Sequence, residues 1–186
     1  MSLRFEAMGL PGVVRITPEL HEDGRGAFLE THHEPKYRAG GIDAHFVQDN
    51  QSRSVRGTLR GLHAQSPNPQ GKLVRVIEGE IFDVAVDIRR GSPSYGKHVC
   101  ALLSGENHQQ LYMPPGLAHG FVVISESALV EYKCSEVYRP ECEFTLAWND
   151  PDLAIPWPVE TPLLSPRDAA APPLRELQDR LIDFRD

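Results

Sequence analysis

One short stretch, Gly79-Glu80-Ile81-Phe82-Asp83-Val84-Ala85-Val86-Asp87-Ile88, constrains the fold more than any other part of the chain. Its β-branched and aromatic residues suit a pleated strand, in which successive side chains point to opposite faces. Phe82, Val84, Val86 and Ile88 then share one apolar face, and Ile81, Asp83, Ala85 and Asp87 share the other. The second face carries two carboxylates. In a sandwich or barrel it turns either to solvent or into a polar cavity.

The rest of the sequence is written in the same style. Its 15 glycines and 16 prolines separate many short apolar runs, which is the punctuation of an all-β domain. Further strands are expected at Gly12 to Thr17, Ala44 to Asn50, Lys72 to Glu78, His98 to Leu103, Gln109 to Met113, Gly120 to Ile124, Ala128 to Cys134 and Phe144 to Trp148. Turn signals bound most of them: Asp23-Gly24, Gly40-Gly41, Ser66-Pro67, Ser92-Pro93 and Pro114-Pro115-Gly116. Many short strands without intervening helical pattern predict a jelly roll or barrel. Helix is expected mainly at the C-terminus, where Leu174, Leu177, Leu181 and Ile182 recur at near-helical spacing and predict an amphipathic helix over Pro173 to Phe184. A second short helical piece is expected over His33 to Ala39.

A chain of 186 residues corresponds to one domain, spanning residues 1–186, and is long enough to hold a core without disulfides or metals. Nineteen basic residues against 26 acidic ones give a net charge of −7. That balance lacks the basic footprint of a nucleic-acid binder and does not favour an anionic membrane surface. No apolar run approaches the ~20 residues of a membrane helix, and the N-terminus lacks the apolar region of a signal peptide. The cysteines Cys100, Cys134 and Cys142 are odd in number and form no CxxC pair. A cytoplasmic protein with reduced thiols is the expectation.

Several segments could carry chemistry. In Leu59-Arg60-Gly61-Leu62-His63 an Arg and a His stand three residues apart around a glycine. Strict alternation would place them on opposite faces; a bend or bulge at Gly61 would bring both to one pocket. His is the default general base at neutral pH, and Arg the default clamp for phosphate oxygens. The alternative is a hydrogen-bonded core His with a surface Arg. Lys72 opens an apolar strand; it is either solvated or, if inward, able to stabilise an oxyanion. His119 opens a strand after Pro114-Pro115-Gly116. His63 and His119 invite a metal, but position 65 is Gln, and four ligands do not assemble from these motifs. Tyr132 and Tyr138 share a face if their strand is continuous, where a hydroxyl can donate a proton and a ring can stack. Asp168 follows a turn; brought to a His, it would fix the tautomer and strengthen the base. No GxGxxG nicotinamide fingerprint is present.

Taken in order, the phrases Asp23-Gly24-Arg25-Gly26, Phe46-Val47-Gln48-Asp49-Asn50-Gln51-Ser52, Leu59-Arg60-Gly61-Leu62-His63, Gln70-Gly71-Lys72-Leu73-Val74, Asp83-Val84-Ala85-Val86-Asp87, Gly116-Leu117-Ala118-His119-Gly120-Phe121, Tyr132-Lys133-Cys134, Trp148-Asn149-Asp150-Pro151 and Leu164-Ser165-Pro166-Arg167-Asp168 resemble the dTDP-4-dehydrorhamnose 3,5-epimerases of the cupin superfamily. The resemblance runs from about residue 5 to about residue 175. It implies a cupin-type jelly roll and an isomerase that inverts C3 and C5 of dTDP-4-dehydro-6-deoxy-glucose, with no metal and no cofactor. Relatives that invert only C3 or only C5, and a non-catalytic sugar-nucleotide binder on the same scaffold, are the alternatives.

The resemblance also implies roles. His63 corresponds to the general base, Asp168 to its partner carboxylate, Tyr132 to the opposite-face acid and Lys72 to the group near O4. Arg60 looks like a diphosphate contact, Gln48 and Asn50 like polar liners, His119 with Asp83 like an inner polar pair, and Tyr138 like a nucleotide-stacking residue. Arg25, Phe28 and Glu30 match a segment that reaches the neighbouring subunit's nucleotide site in a homodimer. Ala27, Ala64 and Gly71 depart from common family residues and bear on sugar and nucleotide contacts.

Overall fold

The alternation in the central stretch is realised as a strand with both faces covered. The computed structural model describes residues 1–184. Among them, the strands in chain order are β1 (Leu3–Ala7), β2 (Val14–Pro18), β3 (Leu20–Asp23), β4 (Gly26–Leu29), β5 (Gln48–Val55), β6 (Leu59–Gln65), β7 (Lys72–Glu78), β8 (Glu80–Asp87), β9 (His98–Ser104), β10 (Gln110–Met113), β11 (Leu117–Val123), β12 (Ser127–Cys134) and β13 (Glu143–Thr145). One antiparallel sheet runs β1-β2-β10-β7-β12-β5, and a second runs β13-β6-β11-β8-β9. The hairpin β3-β4 belongs to neither. The two main sheets face each other in a jelly roll of the cupin type.

Ile81 and Ala85 of β8 face the inter-sheet core with Val74, Val76, Leu111, Phe121 and Val130. Their opposite-face neighbours Val84, Val86 and Ile88 pack under Leu153, Leu174 and Leu181 of the C-terminal segment. Each buried aliphatic side chain contributes roughly 1.5–3 kcal/mol of transfer free energy, so the C-terminal segment is held by its apolar residues. A third cluster seats Tyr37 and Ile42 against Val14, Ile16, Leu73 and Tyr112 on the outside of the larger sheet. The face of β8 that carries Asp83 and Asp87 thus turns inward, and both side chains are fully buried.

The short helix α1 (Glu34–Ala39) lies where one was expected. The C-terminal helix does not form: Leu174–Glu176 and Gln178–Arg180 are separate 3-10 turns. Leu174 and Leu181 reach the core without a continuous helix because Leu177 breaks the run with ψ near 14°, and the leucine spacing serves a wrapping strap. A helix α2 (Pro166–Ala169) lies just before it. The strand expected over residues 44–50 instead runs from Gln48 to Val55, that expected over residues 144–148 is the shorter Glu143–Thr145, and β1, β3 and β4 lie outside the expected strands. β5 is an edge strand with alternating exposure and few apolar residues, so hydrophobic pattern alone underestimates its length.

Candidate active site

Arg60 and His63 reach one cavity through the bulge that their spacing demands. Across β6 and β11 the register steps from His119 opposite His63 to Phe121 opposite Arg60, leaving one extra residue on β6. Gly61 absorbs the irregularity with φ +122°. A Cβ there would stand 2.6 Å from both the Gly120 Cα and the His119 carbonyl oxygen, so only glycine fits.

The cavity measures about 330 Å³ and lies between the sheets. His63, Lys72, Tyr132, Gln48, Asn50, Arg60, His119 and Tyr138 all line it. Asp168 completes it from behind: His63 Nε2 lies 2.7 Å from Asp168 Oδ1. The carboxylate is only 4 % exposed and the imidazole 24 %, so the pair has a dry end and an accessible one. Local structure explains how so distant an aspartate arrives. Leu163 pairs in parallel with Thr58 just before β6, Ser165 caps α2 by accepting the Asp168 N–H at 3.1 Å, and the helix turn then aims the carboxylate at His63. Burial pushes the Asp168 carboxyl up, but the hydrogen bond and charge of His63, together with Ser165 and Arg167, outweigh it and hold the carboxyl below its ordinary range.

Lys72 is buried, and no hydrogen bond to its ammonium forms within the described residues. Burial lowers its pKa, opposed by the nearby Cys134, Glu143 and Asp83. A desolvated cation aimed into a cavity is suited to an oxygen that gains negative charge. Tyr132 lies on β12, with its Cα paired to Asn50 of β5 and to Val74 of β7. Burial raises its pKa, reinforced by Cys134, Glu143 and Tyr138 and opposed by Arg60, so its hydroxyl keeps its proton at neutral pH. Asn50 accepts a hydrogen bond from Gln48 at 3.0 Å and donates to the Cys134 Sγ at 3.6 Å. Arg60 donates to the Ser54 hydroxyl at 3.0 Å, which fixes the guanidinium along the same wall. His119 Nε2 meets Asp83 Oδ1 at 2.7 Å, deep inside.

Tyr138 does not share a continuous strand with Tyr132. β12 ends at Cys134, and Tyr138 returns to the cavity by a loop whose N–H donates to Gln48 Oε1 at 2.8 Å. Five liners have no role assigned from the sequence, Ser52, Gln70, Phe121, Glu143 and Arg167, and the last two are charged. Arg167 forms a bidentate ion pair with Glu143, the Tyr138 hydroxyl donates to Glu143 at 2.7 Å, and Arg167 Nη2 stands 3.4 Å from His63 Nε2. The signal for Arg167 was its place beside Asp168. Glu143 carries no local signal and arrives because β13 pairs with β6, Thr145 opposite His63 and Glu143 opposite Gln65. Arg25, Phe28 and Glu30 are not at this cavity. Arg25 and Phe28 line the exposed hairpin, and Glu30 pairs with Lys36 at 2.7 Å. Among the described residues no three His, Cys, Asp or Glu side chains gather as a metal site.

A carboxylate-backed imidazole, a buried ammonium and a protonated phenol around one cavity in a jelly roll define the class: an acid–base enzyme that moves protons beside a polarised oxygen. Comparison with known proteins makes the class particular. A family model described as dTDP-4-dehydrorhamnose 3,5-epimerase matches residues 7–176, and the chain belongs to that family. It is 49 % identical over 176 residues to the dTDP-4-dehydrorhamnose 3,5-epimerase of Methanothermobacter thermautotrophicus, covering 93 % of this chain and 95 % of the relative. The crystal structure of dTDP-6-deoxy-D-glucose-3,5-epimerase from Legionella pneumophila, in complex with dTDP-4-keto-L-rhamnose, superposes with a TM-score of 0.96 at 46 % identity, covering 100 % of both chains. A 3'-monoepimerase from Streptomyces bikiniensis, in complex with dTDP-quinovose, is more distant: TM-score 0.88 at 34 % identity, covering 95 % of this chain and 91 % of the other.

Proposed function

We propose that this chain, as a single domain, is a nucleotide-sugar isomerase that inverts C3 and C5 of dTDP-4-dehydro-6-deoxy-glucose to give dTDP-4-dehydro-L-rhamnose. The observation that carries the reading is the His63–Asp168 pair opening onto the same cavity as Lys72 and Tyr132. The C4 ketone acidifies the protons on C3 and C5, so no redox cofactor is required. His63, oriented by Asp168, removes a proton. Lys72 stabilises the enolate charge at O4. Tyr132 returns a proton from the other face. Arg60 binds the diphosphate, and the nucleotide contacts supply positioning from a distance.

The hairpin β3-β4 supports a homodimer in which each copy completes the other's nucleotide site. It stands outside both main sheets, its Phe28 is 62 % exposed, and the Arg25 side chain is 91 % exposed. A cytoplasmic location fits three free cysteines and the absence, among the described residues, of any helix long and apolar enough to cross a membrane.

Incubation with dTDP-4-dehydro-6-deoxy-glucose in deuterated water, followed by NMR at C3 and C5, tests the reaction. Deuterium and inversion at both carbons are expected, and His63→Ala should abolish both while dTDP still binds. Inversion at one carbon alone would assign a mono-epimerase instead. Full activity in His63→Ala would remove the base assignment.

A further inference from the structure

The cavity holds a second imidazole–carboxylate pair that the reaction as written leaves idle. His119 is the residue directly opposite His63 in the β6-β11 register, and such partners have their Cβ atoms about 4.5–5.5 Å apart. Each ring is held through Nε2 by its own carboxylate at 2.7 Å, Asp168 for His63 and Asp83 for His119. Each therefore keeps Nδ1 for another partner. The two pairs differ in depth: the His63 side chain is 24 % exposed, whereas His119 is 7 % exposed and Asp83 wholly buried. Among the described residues the second oxygen of Asp83 has no hydrogen-bond partner. A carboxylate taken this far out of water is stabilised by a cation beside it.

Double inversion creates a need that this pair can meet. Each inversion transfers one proton from carbon to His63 and one from Tyr132 to carbon. It leaves an imidazolium and a phenolate, and neither can act on the second carbon until both are reset. Among the described residues that line the cavity, few can both take and give a proton. Gln48, Asn50, Ser52, Gln70 and Phe121 do not titrate usefully. Arg60 and Arg167 remain charged. Glu143 and the Tyr138 hydroxyl are tied to each other, with Glu143 also held by Arg167, and Lys72 serves the enolate oxygen. His119 remains.

We propose that His119, held by Asp83, is the relay that resets the site between the two inversions. The proton on His63 passes through one cavity water to His119 Nδ1, the N–H bond of His63 breaking as that of His119 forms. His119 then gives the proton to the Tyr132 phenolate, restoring the neutral phenol. Asp83 keeps its contact with His119 Nε2 throughout, and the water is returned unchanged. No outside acid, base or oxidant is consumed. The relay rests on the double-inversion reading above, and its role is exerted through His63 and Tyr132.

The test is a single-turnover experiment with enzyme in excess over dTDP-4-dehydro-6-deoxy-glucose in deuterated water, quenched at intervals and analysed by NMR for label and configuration at each carbon. Wild-type protein that labels neither carbon would defeat the underlying reaction, independently of the relay. For the relay, His119→Asn keeps an amide to bond Asp83, and Asp83→Asn keeps the shape. Both should slow the second inversion about 100-fold more than the first, the size of an acid–base contribution, so that singly inverted sugar accumulates. A merely structural role would slow both carbons by the same factor. Equal slowing in the folded variants, or a second inversion that keeps pace with the first, overturns the relay.

Discussion

His63 and Asp168 are separated by 105 residues in the chain and by 2.7 Å in the fold. The contact is made by a short capped helix pinned to the start of β6, the strand that carries His63. The proposed base is thus assembled from two distant segments whose relative position depends on the parallel pairing of Thr58 with Leu163.

Asp168→Asn keeps the shape of this contact but removes its charge. A carboxylate behind an imidazole sets the tautomer and stabilises the imidazolium. The variant should therefore lose about 100-fold or more in kcat, with little change in dTDP affinity. Steady-state kinetics and a dTDP titration check it; a wild-type kcat would mean the two residues do not cooperate.

Tyr132→Phe separates proton removal from inversion. Burial keeps the phenol protonated, which suits the donation proposed for it. The variant should still exchange substrate protons for deuterium, by return to the face from which His63 took them, but should form little epimerised product. NMR in deuterated water distinguishes the outcomes. Equal loss of exchange and inversion would give the hydroxyl a wider role than donation.

The glycine at the β6 bulge makes a prediction about the fold as well as the site. Gly61→Ala would set a Cβ 2.6 Å from two backbone atoms at φ +122°. Strain of this kind costs roughly 3 kcal/mol and would shift both Arg60 and His63. Gly24→Ala, which meets nothing within 4 Å, is the control. Denaturant unfolding should show a large loss for the first and almost none for the second. A stable, active Gly61→Ala protein would mean that the bulge does not need glycine.

Much of this architecture was legible in residues 79–88, because period two assigns both faces of a doubly covered strand. The need for a bulge at Gly61 was legible too, since Arg60 and His63 cannot otherwise share a face. The missed elements lacked a local signal. The strap over residues 174–181 has helical leucine spacing, yet its shape is dictated by the sheet it covers. Glu143 belongs to a three-residue edge strand, too short for periodicity to declare. Arg167 is recognisable only once Asp168 is seen beside His63, a tertiary fact.

The second inward carboxylate of β8 makes the last prediction, and it concerns acid stability. Asp87 is fully buried. It accepts Arg89 Nε at 2.9 Å and Nη2 at 2.8 Å, and the Ser92 and Ser94 hydroxyls at 2.6 Å each. Burial alone would raise its pKa, but these donors bring it down from 3.8 to about 2. A depressed carboxyl contributes stability that is complete above the unfolded value and lost as pH falls through the folded one. That contribution is about 2 kcal/mol at neutral pH, with about half gone by pH 3. Asp87→Asn leaves Arg89 unpaired in the interior and should cost on the order of 3 kcal/mol at pH 7. Its gap from wild type should narrow by about 1 kcal/mol at pH 3. Urea unfolding of both proteins at the two pH values measures this. A gap that stays constant would mean that Asp87 titrates alike in the folded and unfolded chains, and that its cage of donors holds the loop after β8 without lowering its pKa.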